Sequence, residues 1–246
     1  MPELERTKAI EDFLKVVYHL QQQSDRVRTS AVAEAMNITA PSAYDFIRRC
    51  QEAGLLDYRS HRGVRLTEEG ERIALEVLRS HRLLELFLVR ALGYAWDEVH
   101  DEADRLEHYI SEKLEARIAA YLGHPTVDPH GDPIPAKDGT LPERQLVPLS
   151  DLPDGSLGEV SRLLDQSSES LQHLQSKGLI PGARVRILRR EPLDRLTHLQ
   201  VEDTPQVIGE TTAHIILIKP LNDNFLTNTC YCFSQPDATI GQREGP

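Results

Sequence analysis

Residues 80–111 contain several side chains that can bind a metal ion, namely His81, Glu85, His100, Asp104, Glu107 and His108. The first two lie one helical turn apart, and the other four recur at i, i+4, i+7 and i+8 on one face of a second helix. Imidazole and carboxylate together suit divalent first-row ions. The pattern predicts a metal site on two helices that are interrupted near Gly93. The alternative is an acidic, solvated helix with incidental histidines, which the clustering argues against.

The composition of the chain sets limits on its class. With 246 residues and 39% hydrophobic residues, it can form one to three domains with their own cores. It has no apolar run of membrane-spanning length, and its N-terminus is charged where a signal peptide needs an apolar block. We therefore expect a cytoplasmic protein with no membrane partner. Its three cysteines indicate a reducing compartment, and Cys230-x-Cys232 is only a weak metal motif.

The net charge of −11 argues against a nucleic-acid partner until its distribution is considered. Residues 97–115 hold eight acidic residues against Arg105 and Lys113, and this region favours cations. Residues 46–65 reverse the balance, with five arginines against Glu52 and Asp57. The second region can therefore meet phosphate groups.

The N-terminal part has the pattern of a helix-turn-helix. A first helix is predicted from about Arg6 to Gln22, and Asp12 lies beside its apolar stripe, where it would be interpreted as a surface acid. Two short helices follow, of which the second has Pro41 in its first turn and ends near Gly54. Such pairs are typical of DNA-binding domains, although other αα-hairpins are similar.

A predicted β-hairpin strengthens the DNA-binding interpretation. Strands at residues 55–58 and 64–66 flank a turn that carries Arg62. A hairpin after a recognition helix is a wing, and its arginine can reach the DNA backbone or the minor groove. The alternative, an exposed charge without a role, is less consistent with the preceding helices.

A long helix and a linker are predicted next. The helix that Thr67 caps is apolar on more than one side near its end, which predicts burial against a partner subunit. The Pro/Gly-rich stretch after Leu122 predicts a linker between domains. His124 and His130 would then be loop residues and not ligands.

The C-terminal part has the pattern of a small, barrel-like β module. Strands are predicted at residues 184–188, 198–201 and 214–218, with a short helix from Ser168 to Lys177. Gly158 is expected in a turn. The polar residues after Asn222 predict a poorly ordered tail.

In this order, the winged helix, the His/carboxylate helices, the proline-rich linker and the β module resemble the diphtheria-toxin-repressor family of metal-dependent transcriptional regulators. The most specific motifs are His81-Arg-Leu-x-Glu85, Val99-His100-Asp101-Glu102-Ala103, Glu107-His108, Gly131-x-Pro133-Ile134-Pro135 and Gly182. The resemblance implies a mainly α fold with a small β module. Its expected parts are a winged helix-turn-helix domain at 1–74, a helical metal-binding and dimerisation domain at 75–125, a linker at 126–145, an SH3-like, FeoA-like β-barrel domain at 146–222 and a flexible tail at 223–246.

The resemblance also implies a function. Members are homodimers that bind palindromic double-stranded DNA operators when loaded with Fe²⁺ or Mn²⁺, and they repress metal-homeostasis genes. Two metal sites per subunit and no enzymatic activity are expected. Carried over residue by residue, the primary site would be Asp12, Asp104, Glu107 and His108. The ancillary site would be His81, Glu85 and His100, with Glu169 as the carboxylate that the β module offers.

Departures from the family pattern bear on the metal. Iron-sensing members place Met and Cys where this chain has Asp12 and Asp104, whereas manganese-sensing members have Asp and Glu, so this site is more similar to theirs. Those members use a Glu where this chain has Lys15, and their two-metal cluster is therefore not carried over.

The resemblance assigns the DNA contacts to Thr39, Pro41, Ser42 and Arg49 on the recognition helix and to Arg62 on the wing. Asp45 stands where some relatives carry Gln. An acid there can accept a hydrogen bond from cytosine but repels phosphate, so operator preference is not carried over.

Two other functions fit part of the sequence. A helical, carboxylate-bridged metalloenzyme would use the same acids, but paired Glu-x-x-His or His-Glu-x-x-His motifs do not occur and the winged helix stays unexplained. A constitutive winged-helix DNA-binding protein would hold a purely structural metal. Chelation would unfold such a protein instead of only releasing its DNA.

Overall fold

Three helices and an antiparallel hairpin form the N-terminal part of this computed structural model, which describes residues 7–221. Their bounds are α1 Lys8–Gln21, α2 Thr29–Ala35, α3 Ala40–Glu52, β1 Leu56–Arg59 and β2 Gly63–Leu66. The apolar face of α1, which includes Phe13 and Leu14, shares one buried core with Ile47 of α3 and Val64 of β2. The predicted winged helix-turn-helix is confirmed.

Local contacts fix the recognition helix and the wing. Thr39 caps α3, because its side chain accepts a hydrogen bond from the amide of Ser42. The wing is held at its base, where Arg26 donates to the backbone oxygens of Asp57 and Gly63. A Cβ at Gly63 would lie 2.2 Å from the carbonyl oxygen of Val27, so only glycine permits this close approach.

Three helices form the middle of the molecule, and they are α4 Glu68–Leu92, α5 Val99–Leu106 and α6 Glu112–Tyr121. Thr67 caps α4, which ends at Gly93 with φ 73°. The N-terminal half of α4 belongs to the core of the winged helix, whereas Leu83 and Leu86 pack with Ala103 and Ile118 in a second core. One 25-residue helix therefore connects the two cores rigidly. None of the helices within residues 7–221 is both long enough and apolar enough to cross a membrane.

The C-terminal part is an antiparallel sheet with its own core. Its elements are β3 Val147–Pro148, β4 Leu157–Leu163, α7 Ser168–Ser176, β5 Arg184–Glu191, β6 Leu196–Val201, β7 Thr204–Gly209, α8 Glu210–Ile215 and β8 Ile216–Pro220. The strand order is β3-β8-β4-β5-β6-β7. The predicted β module is confirmed, but the barrel is not closed, because within residues 7–221 the edge strands β3 and β7 do not pair with each other.

Two local predictions in this sheet are wrong. Gly158 lies in β4 and not in a turn, since a Cβ there would lie 2.2 Å from the Ile218 side chain of β8. The strand predicted from His214 begins at Ile216 instead. Residues 210–215 form α8, because Ala213 is buried in the sheet core and this packing overrides the β propensity of its neighbours.

The stretch predicted as a linker contains no helix or named strand but is firmly packed. His130 and Ile134 are buried there, and the amide of Leu163 in β4 donates to the backbone oxygen of His130. The side chain of Asp128 accepts hydrogen bonds from the amides of His130 and Asp132, which shapes the turn. The domain bounds stay predictions, and those for the tail and for Cys230-x-Cys232 lie outside the described residues.

Candidate metal centre

The run of potential ligands after Gly93 is divided where α5 ends. His100 and Asp104 lie on α5, whereas Glu107 is its C-cap residue and His108 lies in the following turn. The prediction of one continuous helical stripe is therefore wrong. The chain leaves the helix after Leu106, and both ring nitrogens of His108 contact acidic residues of α1, Glu11 and Asp12.

The first group of candidate ligands is His81, His100 and Asp104, on α4 and α5. The Nδ1 atom of His81 lies 3.3 Å from Asp104 Oδ1, and its Nε2 atom lies 3.2 Å from His100 Nδ1. His81 is buried, whereas His100 is exposed at the edge of the site. This group therefore opens towards solvent on one side.

The second group is Asp12, Glu107 and His108, and it joins α1 to the end of α5. His108 Nε2 lies 2.8 Å from Asp12 Oδ1 and 3.0 Å from Glu107 Oε1. The other ring nitrogen lies 2.6 Å from Glu11 Oε2, which orients the imidazole. Ligand-type side chains of the winged helix and of the helical domain meet here.

The two groups touch, and we call them together the joined cluster. His81 Nδ1 lies 2.5 Å from Glu107 Oε2. The Lys15 ammonium on α1 lies 2.6 Å from Glu107 Oε1 and 2.8 Å from Asp104 Oδ1, so it contacts one carboxylate of each group.

The third group is Glu85, Asp128 and His130, and all three side chains are buried. His130 Nε2 lies 2.8 Å from the backbone oxygen of Trp96, to which it donates, so Nδ1 carries the lone pair. Within residues 7–221, that Nδ1 atom has no hydrogen-bond partner, and it lies 4.0 Å from Glu85 Oε2. A buried lone pair that faces two carboxylates is costly, and a bound cation would satisfy all three groups.

Proton positions in the joined cluster follow from its charges. Burial alone would lower the pKa of His81, but its hydrogen bonds to Asp104, Glu107 and Glu85 raise this pKa well above its usual value. Burial alone would raise the pKa of Asp104, but His81 and Lys15 hold it far below its usual range. Without metal, a proton on His81 therefore neutralises part of the cluster, and a metal ion would displace that proton.

Burial and neighbouring charges together shift the pKa of Lys15 so that its charged form is favoured, and they shift the pKa of Asp128 so that its neutral form is favoured. Burial lowers the pKa of Lys15, but the charges of Glu107 and Asp104 outweigh burial and raise it. Burial and the neighbouring charge of Glu85 raise the pKa of Asp128 well above its usual value. The Lys15 ammonium is thus held charged, whereas the buried carboxylate of Asp128 is disfavoured in its charged form.

The donor atoms of all three groups fit a divalent first-row ion. They are carboxylate oxygens and imidazole nitrogens, with no sulfur, which suits Mn²⁺ and Fe²⁺. The orphaned Nδ1 of His130 is the clearest sign of such a fit.

The structure brings most of the predicted ligands together but regroups them. Asp104 lies with His81 and His100, and Glu85 lies with Asp128 and His130. The three residues predicted for the ancillary site are still in contact, since Glu85 Oε1 lies 3.0 Å from His81 Nε2 and 3.3 Å from His100 Nδ1. Glu169 is in none of the groups formed by residues 7–221. It lies exposed in the first turn of α7, and its metal assignment stays a prediction. From α7, Ser168 and Gln172 contact the helical domain instead, both through Asp97.

The sequence pattern predicts nothing for Asp128 and predicts that His130 is a loop residue and not a ligand, whereas the structure places both in a candidate metal group. Asp128 and His130 lie on a turn, so they lack the helical spacing that revealed the other candidates. The available signal was two ligand-type residues directly before the Gly131-x-Pro133-Ile134-Pro135 motif.

The predicted DNA contacts are all exposed, and they are Thr39, Pro41, Ser42, Arg49 and Arg62. The hydroxyls of Thr39 and Ser42 lie 2.9 Å apart. The Arg49 guanidinium lies 5.6 Å from the centre of the Phe46 ring, which supports it on α3. Arg62 lies in the hairpin turn and has no acidic partner within residues 7–221.

In this structure, His and carboxylate side chains join a winged helix to a long helix, and a small β module follows. This is the architecture of a metal-responsive DNA-binding regulator. Three family models match the chain in that order. They are "Iron dependent repressor, N-terminal DNA binding domain" at residues 5–64, "Iron dependent repressor, metal binding and dimerisation domain" at 67–136 and "FeoA domain" at 147–220.

Similar proteins agree with this architecture. The chain is 35% identical over 191 residues to the iron-dependent repressor IdeR of Mycobacterium tuberculosis, which covers 72% of this chain and 82% of that protein. It is 26% identical over 198 residues to the diphtheria toxin repressor of Corynebacterium diphtheriae, which covers 76% of this chain and 88% of that protein. The chain therefore belongs to the diphtheria-toxin-repressor family of iron- or manganese-dependent repressors, as its motifs predicted.

Solved structures add manganese-dependent relatives. A manganese-dependent transcriptional repressor in complex with manganese is 40% identical, with a TM-score of 0.77 over 86% of this chain and all of that one. ScaR with bound Cd²⁺ is 28% identical, with a TM-score of 0.70 over 85% of this chain and 98% of that one.

Proposed function

We propose that this chain is a metal-activated repressor that binds a palindromic operator of double-stranded DNA as a homodimer and controls genes of metal-ion homeostasis. The observation that carries the proposal is the second group. Its Asp12 comes from the winged helix and its Glu107 and His108 come from the helical domain, so one bound ion would hold the two domains together.

The proposed mechanism is linkage between metal binding and DNA binding. Asp12, Glu107 and His108 would hold the ion, which would supply the positive charge that lets the carboxylates of α1 and of the end of α5 stay close together. Asp12 then fixes α1, and with α1 the shared core fixes the recognition helix α3. Two recognition helices held at the spacing of the operator half-sites bind DNA more tightly than two that move freely.

Each subunit would bind two ions. We assign one to the joined cluster, where Asp12, Glu107 and His108 are the principal ligands and Asp104 lies beside them. The other belongs to the third group, which includes Glu85 of the predicted ancillary site. His81 and His100 support both sites through their contacts with Glu107 and Glu85.

Exposed apolar side chains support the homodimer. Leu92 at the end of α4 is 58% exposed, and Tyr121 at the end of α6 is 68% exposed. Leu114 on α6 is exposed as well. They lie on or beside the region that matches the metal-binding and dimerisation model, and a partner subunit would bury them.

The DNA contacts are proposed to follow the recognition helix and the wing. Thr39, Pro41 and Ser42 at the start of α3 would contact base edges, and Arg49 and Arg62 would contact phosphates. The exposed Asp45 on the same helix would discourage close phosphate contact there. Nothing in this arrangement requires an enzymatic reaction.

The test is a titration of operator binding with three metals. An operator is first selected from random duplex DNA in the presence of Mn²⁺, and fluorescence anisotropy then measures its affinity for the full chain. We expect Mn²⁺ to give full binding, Fe²⁺ to match it without oxygen, and Zn²⁺ to bind tightly but activate partially. A tetrahedral ion needs fewer oxygen ligands and can leave Asp12 out.

Chelation completes this experiment. Adding a chelator should release the DNA while circular dichroism shows that the chain stays folded, whereas loss of folding would favour a purely structural metal. A chain that no concentration of Mn²⁺ activates would contradict the proposed function.

A further inference from the structure

Lys15 occupies the place where the two groups of the joined cluster meet. Its side chain is 12% exposed, and its ammonium contacts Glu107 Oε1 at 2.6 Å and Asp104 Oδ1 at 2.8 Å. Asp104 is a candidate ligand of the first group, and Glu107 is one of the second. A cation that belongs to the chain therefore lies on a carboxylate of each group.

The charges of the joined cluster decide how many ions it can hold beside this ammonium. Its two groups contain three carboxylates, Asp12, Asp104 and Glu107. Glu11 and Glu85 add two nearby carboxylates, since they contact His108 and His81. The ammonium nevertheless lies directly on Asp104 and Glu107. A second divalent ion at Asp104 would have to share that carboxylate with a cation already bound to it in a half-buried site, which is unfavourable.

We propose that the ammonium of Lys15 is a resident cation of the joined cluster, which limits the cluster to one divalent ion and holds α1 to α5 when that ion is absent. The ion belongs to the second group, because Lys15 contacts Glu107 there but leaves the carboxylate of Asp12 available. The first group then stays empty, since its only carboxylate, Asp104, is neutralised by the ammonium. This inference rests on the proposed function only in that Mn²⁺ binds the second group.

Lys8 provides a matched comparison on the same helix. It lies seven residues before Lys15, and its ammonium donates to the backbone oxygen of Asp104 at 2.9 Å. Removing Lys8 takes the same charge from α1 but frees no carboxylate. A general change in charge and the loss of this particular cation can therefore be distinguished.

The experiment counts Mn²⁺ ions in the full chain. Isothermal titration calorimetry gives the stoichiometry for the unmodified chain, Lys15→Met, Lys15→Arg and Lys8→Met. We expect Lys15→Met to bind one more Mn²⁺ per subunit, while the other two variants keep the unmodified number. The electron paramagnetic resonance spectrum of Lys15→Met should be exchange-broadened, because the extra ion enters the first group beside the one already bound.

Further variants separate the possible failures. Lys15→Gln, which also lacks the charge, must gain the same ion, so the result does not depend on the folding of one variant. Equal stoichiometry in the folded Lys15→Met, Lys15→Gln and unmodified chains would overturn the inference alone. If His108→Ala removes no Mn²⁺ from the unmodified chain, the second group binds no ion, and both the proposed site and this inference fail.

Discussion

The joined cluster and the third group use the same types of side chain but balance their charges differently. In the joined cluster, Lys15 and the proton on His81 neutralise carboxylates without any metal. In the third group, the carboxylates of Glu85 and Asp128 face an imidazole nitrogen that has no hydrogen-bond partner among residues 7–221. Arg82 lies 3.8 Å from Asp128 and His81 lies 3.0 Å from Glu85, so these carboxylates have partly positive surroundings as well. The difference is that the third group leaves a buried imidazole nitrogen without a partner, whereas Lys15 contacts both groups of the joined cluster.

The two sites also connect different parts of the molecule. The joined cluster links α1 of the winged helix to α4 and α5, whereas the third group links α4 to the turn that holds β4. A metal ion in the joined cluster would act on DNA binding. A metal ion in the third group would act on how firmly the β module is held.

The largest expected effect comes from replacing one histidine in each site, which tests whether the two sites have separate roles. His108→Ala should reduce Mn²⁺-dependent operator affinity by about 100-fold or more, because it removes a ligand of the ion that couples the domains. His130→Ala should reduce it by less than about 10-fold while removing most of the thermal stabilisation by Mn²⁺. Anisotropy and calorimetry measure the two effects.

The exposed His173 on α7, which belongs to none of the three groups, is the matched control for these variants. His173→Ala should leave both readouts unchanged. If His130→Ala lowers operator affinity as much as His108→Ala does, the two sites do not have separate roles.

A smaller effect tests the charge of the third group. Asp128→Asn keeps an oxygen that can accept from the amides of His130 and Asp132 but removes a carboxyl group whose charged form burial and Glu85 disfavour. We expect the free energy of unfolding without metal to rise by about 1–2 kcal/mol, and the stabilisation by Mn²⁺ to fall. Urea unfolding with and without Mn²⁺ measures both.

Asp104→Asn is the corresponding change in the joined cluster, where the carboxylate is paired with Lys15. It should lower the stability without metal, because it leaves the ammonium without one of its partners. If Asp128→Asn and Asp104→Asn shift the free energy of unfolding without metal in the same direction, the two sites do not differ in their charge balance.

The smallest expected effect is a change in the salt dependence of DNA binding when Arg62 on the wing is replaced, and it tests which site controls contact with DNA. In the Mn²⁺-loaded chain, Arg62→Ala should flatten the slope of log affinity against log salt by about one unit, as expected for one phosphate contact. The same change should appear in the His130→Ala background and vanish in His108→Ala.

Arg72→Ala removes the same charge from α4, where Arg72 is paired with Glu69 and Glu76, and serves as the control. It should leave the salt slope unchanged. An unchanged slope for Arg62→Ala in the loaded chain would place Arg62 away from the DNA.

The sequence predicted those parts of the sites that depend on regular spacing. His81 and Glu85 stand one helical turn apart, and so do His100 and Asp104, so a face of each helix could be assigned without a structure. Asp12 was different, since its own helix favoured a surface acid and only the resemblance made it a ligand. The contact of Lys15 with Asp104 spans 89 residues and depends on how α1 docks against α5, which no local pattern contains.

The errors have equally local causes. The spacing predicts that His108 continues the helical stripe of His100 and Asp104, but α5 ends at Leu106 and His108 contacts Asp12 on α1. Asp128 and His130 lie on a turn, where neither helical nor strand periodicity applies. The prediction of a turn at Gly158 rests on the usual preference of glycine for turns, but here glycine allows the Ile218 side chain to cross β4 closely.

The position of Glu85 between the two proposed sites affects how steeply repression would depend on metal concentration. Its Oε1 atom lies 3.0 Å from His81 Nε2, while its Oε2 atom faces His130. If both proposed sites bind ions, engagement of Glu85 in the third group would weaken its contact with His81, and His81 would compete less for Glu107. Filling of the third group would then favour filling of the joined cluster. Because such coupling is reciprocal, the two ions would bind cooperatively, and repression would begin over a narrower range of metal concentration than a single site allows.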